Sequence, residues 1–156
     1  MRVFTERKEK FRVCGVKAAL SEKDKTAVRS LFMGKDGGAR FECLIGCREG
    51  YLGVKKKDGT YLFGKEVFPT VYMPDGGSQW AVPGCTFLKA VFTQKEARTL
   101  TLEGAWRFLK DIYIPSSIYE TDPEIPFEIE SFPQNEQEGG FELLVPVLSD
   151  RTSDVL

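Results

Sequence analysis

A chain of 156 residues, 42% hydrophobic, 29% charged and 12% aromatic, amounts to one globular domain and is long enough to bury a sizeable core. Its 22 Lys and Arg nearly balance 23 Asp and Glu, for a net charge of −1, so it lacks the basic excess or stripe of a nucleic-acid binder. Histidine is absent, which excludes Ser-His and Cys-His catalysis, and no apolar run approaches the roughly 20 residues of a membrane helix.

From the N-terminus, Arg2 to Ala18 reads as a strand or a bent pair of strands, with Phe4, Phe11, Val13 and Val16 turned to a core. Ser21 followed by Asp24 predicts a helix N-cap. The short helix after it has Ala27, Val28, Leu31 and Phe32 on its apolar face and ends at Gly34. Lys35 to Ala39 is a turn and Phe41 to Gly46 a strand. Asp58-Gly59, between the β-prone runs Tyr51–Val54 and Thr60–Gly64, is a strong hairpin signal. The preceding Lys55-Lys56-Lys57 reads as a solvated shoulder of that hairpin.

Val67 to Tyr72 continues in extended form, and Pro74-Asp75-Gly76-Gly77-Ser78 is the best candidate for a midpoint linker. Trp80 to Gly84 and Cys85 to Phe92 restart strand, and Gln94 to Arg98 reads as a polar connector. A second helix follows, with Leu102, Ala105, Trp106, Leu109, Ile112 and Tyr113 on one face, stopped by Pro115. In the next strand Phe127 and Ile129 point one way and Glu128 and Glu130 the other; Gly140 to Val147 is the closing strand.

Strand, helix and strands thus occur twice, in similar layout though not in residue identity. The expected fold class is α+β, an antiparallel sheet with helices. One domain spans 1–156, with repeats over about 1–73 and 78–148 and a frayed tail over 149–156. Two halves back to back leave a central groove, a common place for a ligand. Aromatic side chains on the second helix would then face a sheet carrying a carboxylate.

No N-terminal stretch has the layout of a secretion signal, so a cytoplasmic location is expected. Cys14, Cys43, Cys47 and Cys85 are scattered in apolar, strand-like contexts, as buried thiols of a reduced protein are. Only Cys43 and Cys47 approach a metal-ligand spacing, so no metal and no cofactor is expected.

Trp106, Tyr113-Ile114-Pro115-Ser116-Ser117, Tyr119-Glu120, Phe127-Glu128 and Val145-Pro146-Val147 together resemble the GyrI-like effector-binding domain. Upstream, Trp80 to Phe87 and Ala90-Val91-Phe92 resemble the same family, which also supplies the effector domains of AraC-type and MerR-type multidrug-responsive regulators. The match covers roughly the second half of the chain. The resemblance implies a pseudo-twofold pair of strand–helix–strand–strand units around an aromatic cavity with an acidic floor. It also implies lipophilic ligands, often cationic or planar aromatic, and aligns Glu128 with the family's cavity glutamate. Desolvation and cation–π contacts make such a site attractive to a cation.

The ligand-binding candidates are Glu128, Trp106, Tyr119, Tyr113, Trp80 and Glu142, Glu142 being the alternative carboxylate. Ser116 and Ser117 read as turn and capping residues. The leading function is a stand-alone small-molecule-binding protein that senses or sequesters a hydrophobic compound, without direct contact to nucleic acid or membrane. Two alternatives stay open: hydrolysis of strained, cyclopropane-containing natural products with Glu128 as acid/base, and a gyrase-inhibitor-like interaction with a protein partner.

Overall fold

A computed structural model describes residues 1–19, 21–33, 50–68, 77–133 and 140–148. The predicted strand Phe41–Gly46, the helix stop at Gly34 and most of the Pro74–Ser78 linker lie outside them, as do the side chains of Leu31 and Phe32. The described strands are β1 (Arg2–Lys8), β2 (Phe11–Ala19), β3 (Tyr51–Lys56), β4 (Thr60–Val67), β5 (Ser78–Val82), β6 (Cys85–Phe92), β7 (Phe127–Phe132) and β8 (Phe141–Pro146). The helices are α1 (Glu22–Met33), α2 (Gln94–Thr99) and α3 (Leu102–Phe108), the last running into a π-helical turn over Leu109–Tyr113. Among the described residues no helix is long and apolar enough to cross a membrane.

All eight strands join one antiparallel sheet in the order β1-β6-β8-β7-β3-β4-β2-β5. The order has an internal symmetry. In each half the strand before the helix pairs with the last strand of its unit, and the first described strand after the helix lies innermost. β3 and β7 therefore meet at the centre, Gly53 opposite Glu130. The leading strands are exchanged: β1 flanks β6 of the second unit, and β5 flanks β2 of the first. This is the α+β architecture of two pseudo-twofold-related units.

The links β1–β2 (Glu9-Lys10) and β5–β6 (Pro83-Gly84) are two residues long, yet each joins strands from opposite margins of the sheet. The sheet must therefore curl until its margins meet, an exaggeration of its ordinary twist. The two links touch there: a Cβ on Gly84 would lie 3.1 Å from the Lys10 amide nitrogen. Across the inside of the curl, Lys8 of β1 donates to Glu66 of β4 at 2.7 Å.

Both faces of the sheet are apolar. The inner face packs Val13, Val54, Leu62, Phe87, Ile129 and Leu144. On the outer face α3 covers Leu88, Ala90, Leu143 and Val145 with Ala105, Trp106 and Leu109, and α1 covers Cys14, Tyr61, Phe63 and Val67 with Val28.

Local signals account for several element ends. Ser21 caps α1 by accepting from the Asp24 amide at 3.2 Å. The β3–β4 hairpin turns at Asp58-Gly59, with Gly59 at φ +96° and the Thr60 amide donating to Asp58 at 2.9 Å. Three expectations are corrected. Gln94–Arg98 is helix rather than connector, because Thr93 and Glu96 close a reciprocal capping box. Ala27 of α1 is exposed. Ile112 is also 57% exposed: the Ile114 amide reaches back five residues to the Leu109 carbonyl, at 2.9 Å, and the extra residue in that turn swings Ile112 outward and Ile114 into the core.

Candidate functional site

Strand alternation places Glu128 and Glu130 of β7 on the helix-bearing face, as the sequence predicts. Of the two, Glu130 is the buried carboxylate. It has no solvent exposure, and each of its oxygens takes one donor. Tyr61 Oη of β4 donates to Oε1 at 2.7 Å, and Trp106 Nε1 of α3 donates to Oε2 at 2.6 Å. Tyr61 reaches Glu130 across the intervening strand β3, where the residue facing Glu130 is Gly53. A Cβ at that position would lie 2.1 Å from Tyr61 Oη and 2.9 Å from Glu130 Oε1. Glycine is required here for close approach, not for its backbone freedom.

Lys55 stands cross-strand from both Tyr61 and Glu128. Its Nζ lies 3.5 Å from the centre of the Trp106 ring and 3.8 Å from Glu128 Oε1, with the side chain 14% exposed. The expectation of a solvated lysine run therefore fails at Lys55, and also at Lys56, whose Nζ sits 4.6 Å from the Trp80 ring on the opposite face. The hairpin strand extends through both residues, so alternation sends them to opposite sides of the sheet. Burial pushes the Lys55 ammonium down to about 8, against the pull of Glu128 and Glu130. Glu128 itself is held at the margin of the site by Lys110 of the π-turn at 3.0 Å. On the far side, burial and then the Glu130 charge raise the Tyr61 phenol above its ordinary range, with Arg29 of α1 opposing them. A charged and aromatic chain thus runs Arg29, Tyr61, Glu130, Trp106, Lys55, Glu128, Lys110 across the seam of the two units.

Of the candidates read from sequence, the structure brings Trp106 and Glu128 to this cluster, Glu128 in ion pairs rather than as its buried carboxylate. Tyr113 and Tyr119 are half-buried against the apolar cluster beneath α3. Ser116 and Ser117 donate to the carbonyls of Ile112 and Ile114, at 2.8 Å each, which fits their reading as turn residues. Trp80 lies on the inner face, 6.2 Å from Phe127. Glu142 is on the inner face as well, 3.5 Å from Lys89. Glu130, Tyr61, Lys55 and Gly53 escaped sequence reasoning. A signal for them did exist: one glycine inside a strand of large residues marks a close approach.

Among the described residues, no three His, Cys, Asp or Glu side chains converge as metal ligands. What the cluster offers chemically is a desolvated carboxylate at the edge of an indole whose face holds an ammonium, a combination that attracts cations. Both Glu130 oxygens are occupied by the Tyr61 and Trp106 donors, and the residue has no solvent exposure.

By sequence the chain matches no family profile and no curated protein. By structure it is similar to SAV2435 bound to tetraphenylphosphonium, at TM-score 0.67 and 10% identity over 97% of each chain. The EcmrR C-terminal domain aligns at TM-score 0.63 and 12% identity, over 96% of this chain and 98% of that one. An integron cassette protein from the mobile metagenome of Vibrio cholerae aligns at TM-score 0.55 and 7% identity, over 94% and 95%. This chain has their fold. The alignments span nearly the whole chain, so the shared fold includes both units.

Proposed function

We propose that this chain is a small-molecule-binding domain of the GyrI-like kind, and that it takes a lipophilic, planar aromatic or cationic compound at the seam of its two units. The observation that carries this reading is Glu130, a carboxylate with no exposure, gripped by Tyr61 and Trp106 from two different elements. Burying a charge is costly, and hydrophobic residues of similar volume would stabilise the fold at least as well. A carboxylate retained there is most useful for recognition. The tetraphenylphosphonium complex of SAV2435, which shares the fold, supports the same ligand class. Among the sequence-based candidates Trp106 keeps its place, while Glu130 takes the role first given to Glu128.

Binding of tetraphenylphosphonium, followed by calorimetry and Trp fluorescence, tests this. Glu130→Gln should weaken binding at least tenfold, and Glu128→Gln, which alters a half-exposed ion pair, by much less. Equal binding by the wild type and Glu130→Gln would refute the assignment.

A further inference from the structure

We propose that the Lys55 ammonium is a tethered occupant of the cation seat formed by Trp106, Glu128 and Glu130, and that a ligand cation binds there by displacing it. The inference rests on the reading of the Glu130 cluster as the ligand site and adds how that site chooses its ligand.

The geometry is that of a bound cation. Lys55 Nζ stands 3.5 Å from the Trp106 ring centre, within the distance at which an ammonium is held by an aromatic face. It lies 3.8 Å from Glu128 Oε1 and feels the charge of Glu130. The same indole that presents its face to Lys55 donates its N–H to Glu130, so ring, carboxylate and ammonium form one unit. The charged groups that face Lys55 are Glu128 and Glu130 of β7, Lys25 of α1 and Lys110 of the π-turn. Two carboxylates thus meet three ammonium groups, and Glu128 keeps Lys110 at 3.0 Å when Lys55 leaves. Glu130 is held by the neutral donors Tyr61 and Trp106, so its charge is open to an arriving cation once Lys55 is gone.

The tether is also flexible. A four-carbon stem lets an ammonium swing to water while its methylenes stay on the apolar surface. Desolvation already disfavours the charged form in the seat, so release to solvent relieves strain on that group. Lys55 thereby sets specificity. A weak or hydrophilic cation lacks the apolar surface to evict it, whereas a lipophilic cation covers Trp106 as fully as the lysine stem does.

Two measurements with tetraphenylphosphonium test this. Lys55→Met keeps the stem volume and removes the charge, and calorimetry should show it binding at least tenfold tighter than the wild type. In the wild type, the nuclear Overhauser contact between the Lys55 ε-methylene and the Trp106 indole should vanish at saturation. If Lys55→Met binds no tighter while binding still depends on Glu130, the displacement is refuted and the seat stands. A Lys55–Trp106 contact that persists in the saturated wild type refutes displacement on the unaltered fold. If neither protein binds the probe, the ligand-site reading is overturned and the displacement with it.

Discussion

Gly53 keeps open the space through which Tyr61 reaches Glu130. Any side chain there must push apart a buried hydrogen bond of 2.7 Å, so Gly53→Ala should destabilise the fold by about 1–3 kcal/mol, the usual cost of overpacking. Urea unfolding followed by Trp fluorescence reads this directly. Lys55 adds a pH dependence whose sign is opposite to that of a lysine with a stabilising partner. Its folded value is about 8 and its ordinary value 10.5, so between these pH values the unfolded chain holds a proton that the folded chain has shed. Stability should therefore rise with pH above 8, by on the order of 2 kcal/mol by pH 10. Tyr61 reverses the trend above its ordinary 10.0, because the buried phenol keeps a proton that the unfolded chain loses. Denaturation across this window should show the rise in the wild type and its loss in Lys55→Met.

At the scale of single elements, local chemistry governs. The hairpin at Asp58-Gly59, the Ser21 cap and the alternation of β7 were legible in the sequence because each depends on a few neighbouring residues. The capping box of α2 was legible by the same rule, and only its setting in a polar stretch hid it. Thr93→Ala, which removes the acceptor for the Glu96 amide, should cost about 1 kcal/mol in a thermal or chemical melt. Ligand affinity should be unchanged, since α2 contributes no side chain to the Glu130 cluster. The π-turn was not legible. Its extra residue leaves the apolar pattern of Leu102 to Tyr113 intact as a string and changes only which side chains point inward. The same turn aims Lys110 at Glu128.

At the scale of the whole molecule, the curl of the sheet decides which residues meet. Lys8 and Glu66 come from strands that are not neighbours in the sheet, and they meet only because two-residue links draw its margins together. Both side chains are largely buried, at 14% and 9% exposure. A double-mutant cycle of Lys8→Met and Glu66→Gln should therefore give a coupling of about 1 kcal/mol or more, above that of an exposed pair. A coupling near zero would mean that the curl is held by the apolar inner face alone.

The amino-acid sequence by itself determined the fold class, the doubled strand–helix layout, and the presence of a carboxylate on the helix-bearing face of β7. These depend on periodicity, caps and turns, which are local. Only the tertiary structure decided that Glu130 rather than Glu128 is buried, since the two share a face and differ only in which lies beneath Trp106. It also placed Trp80 and Glu142 on the opposite face of the sheet from the Glu130 cluster, because alternation shows that a residue has a side but not which side two distant strands share. Lys55 shows the same limit: three consecutive lysines look solvated in sequence, and one becomes the cation on the indole because β3 is central and the Trp106 ring of α3 reaches over it.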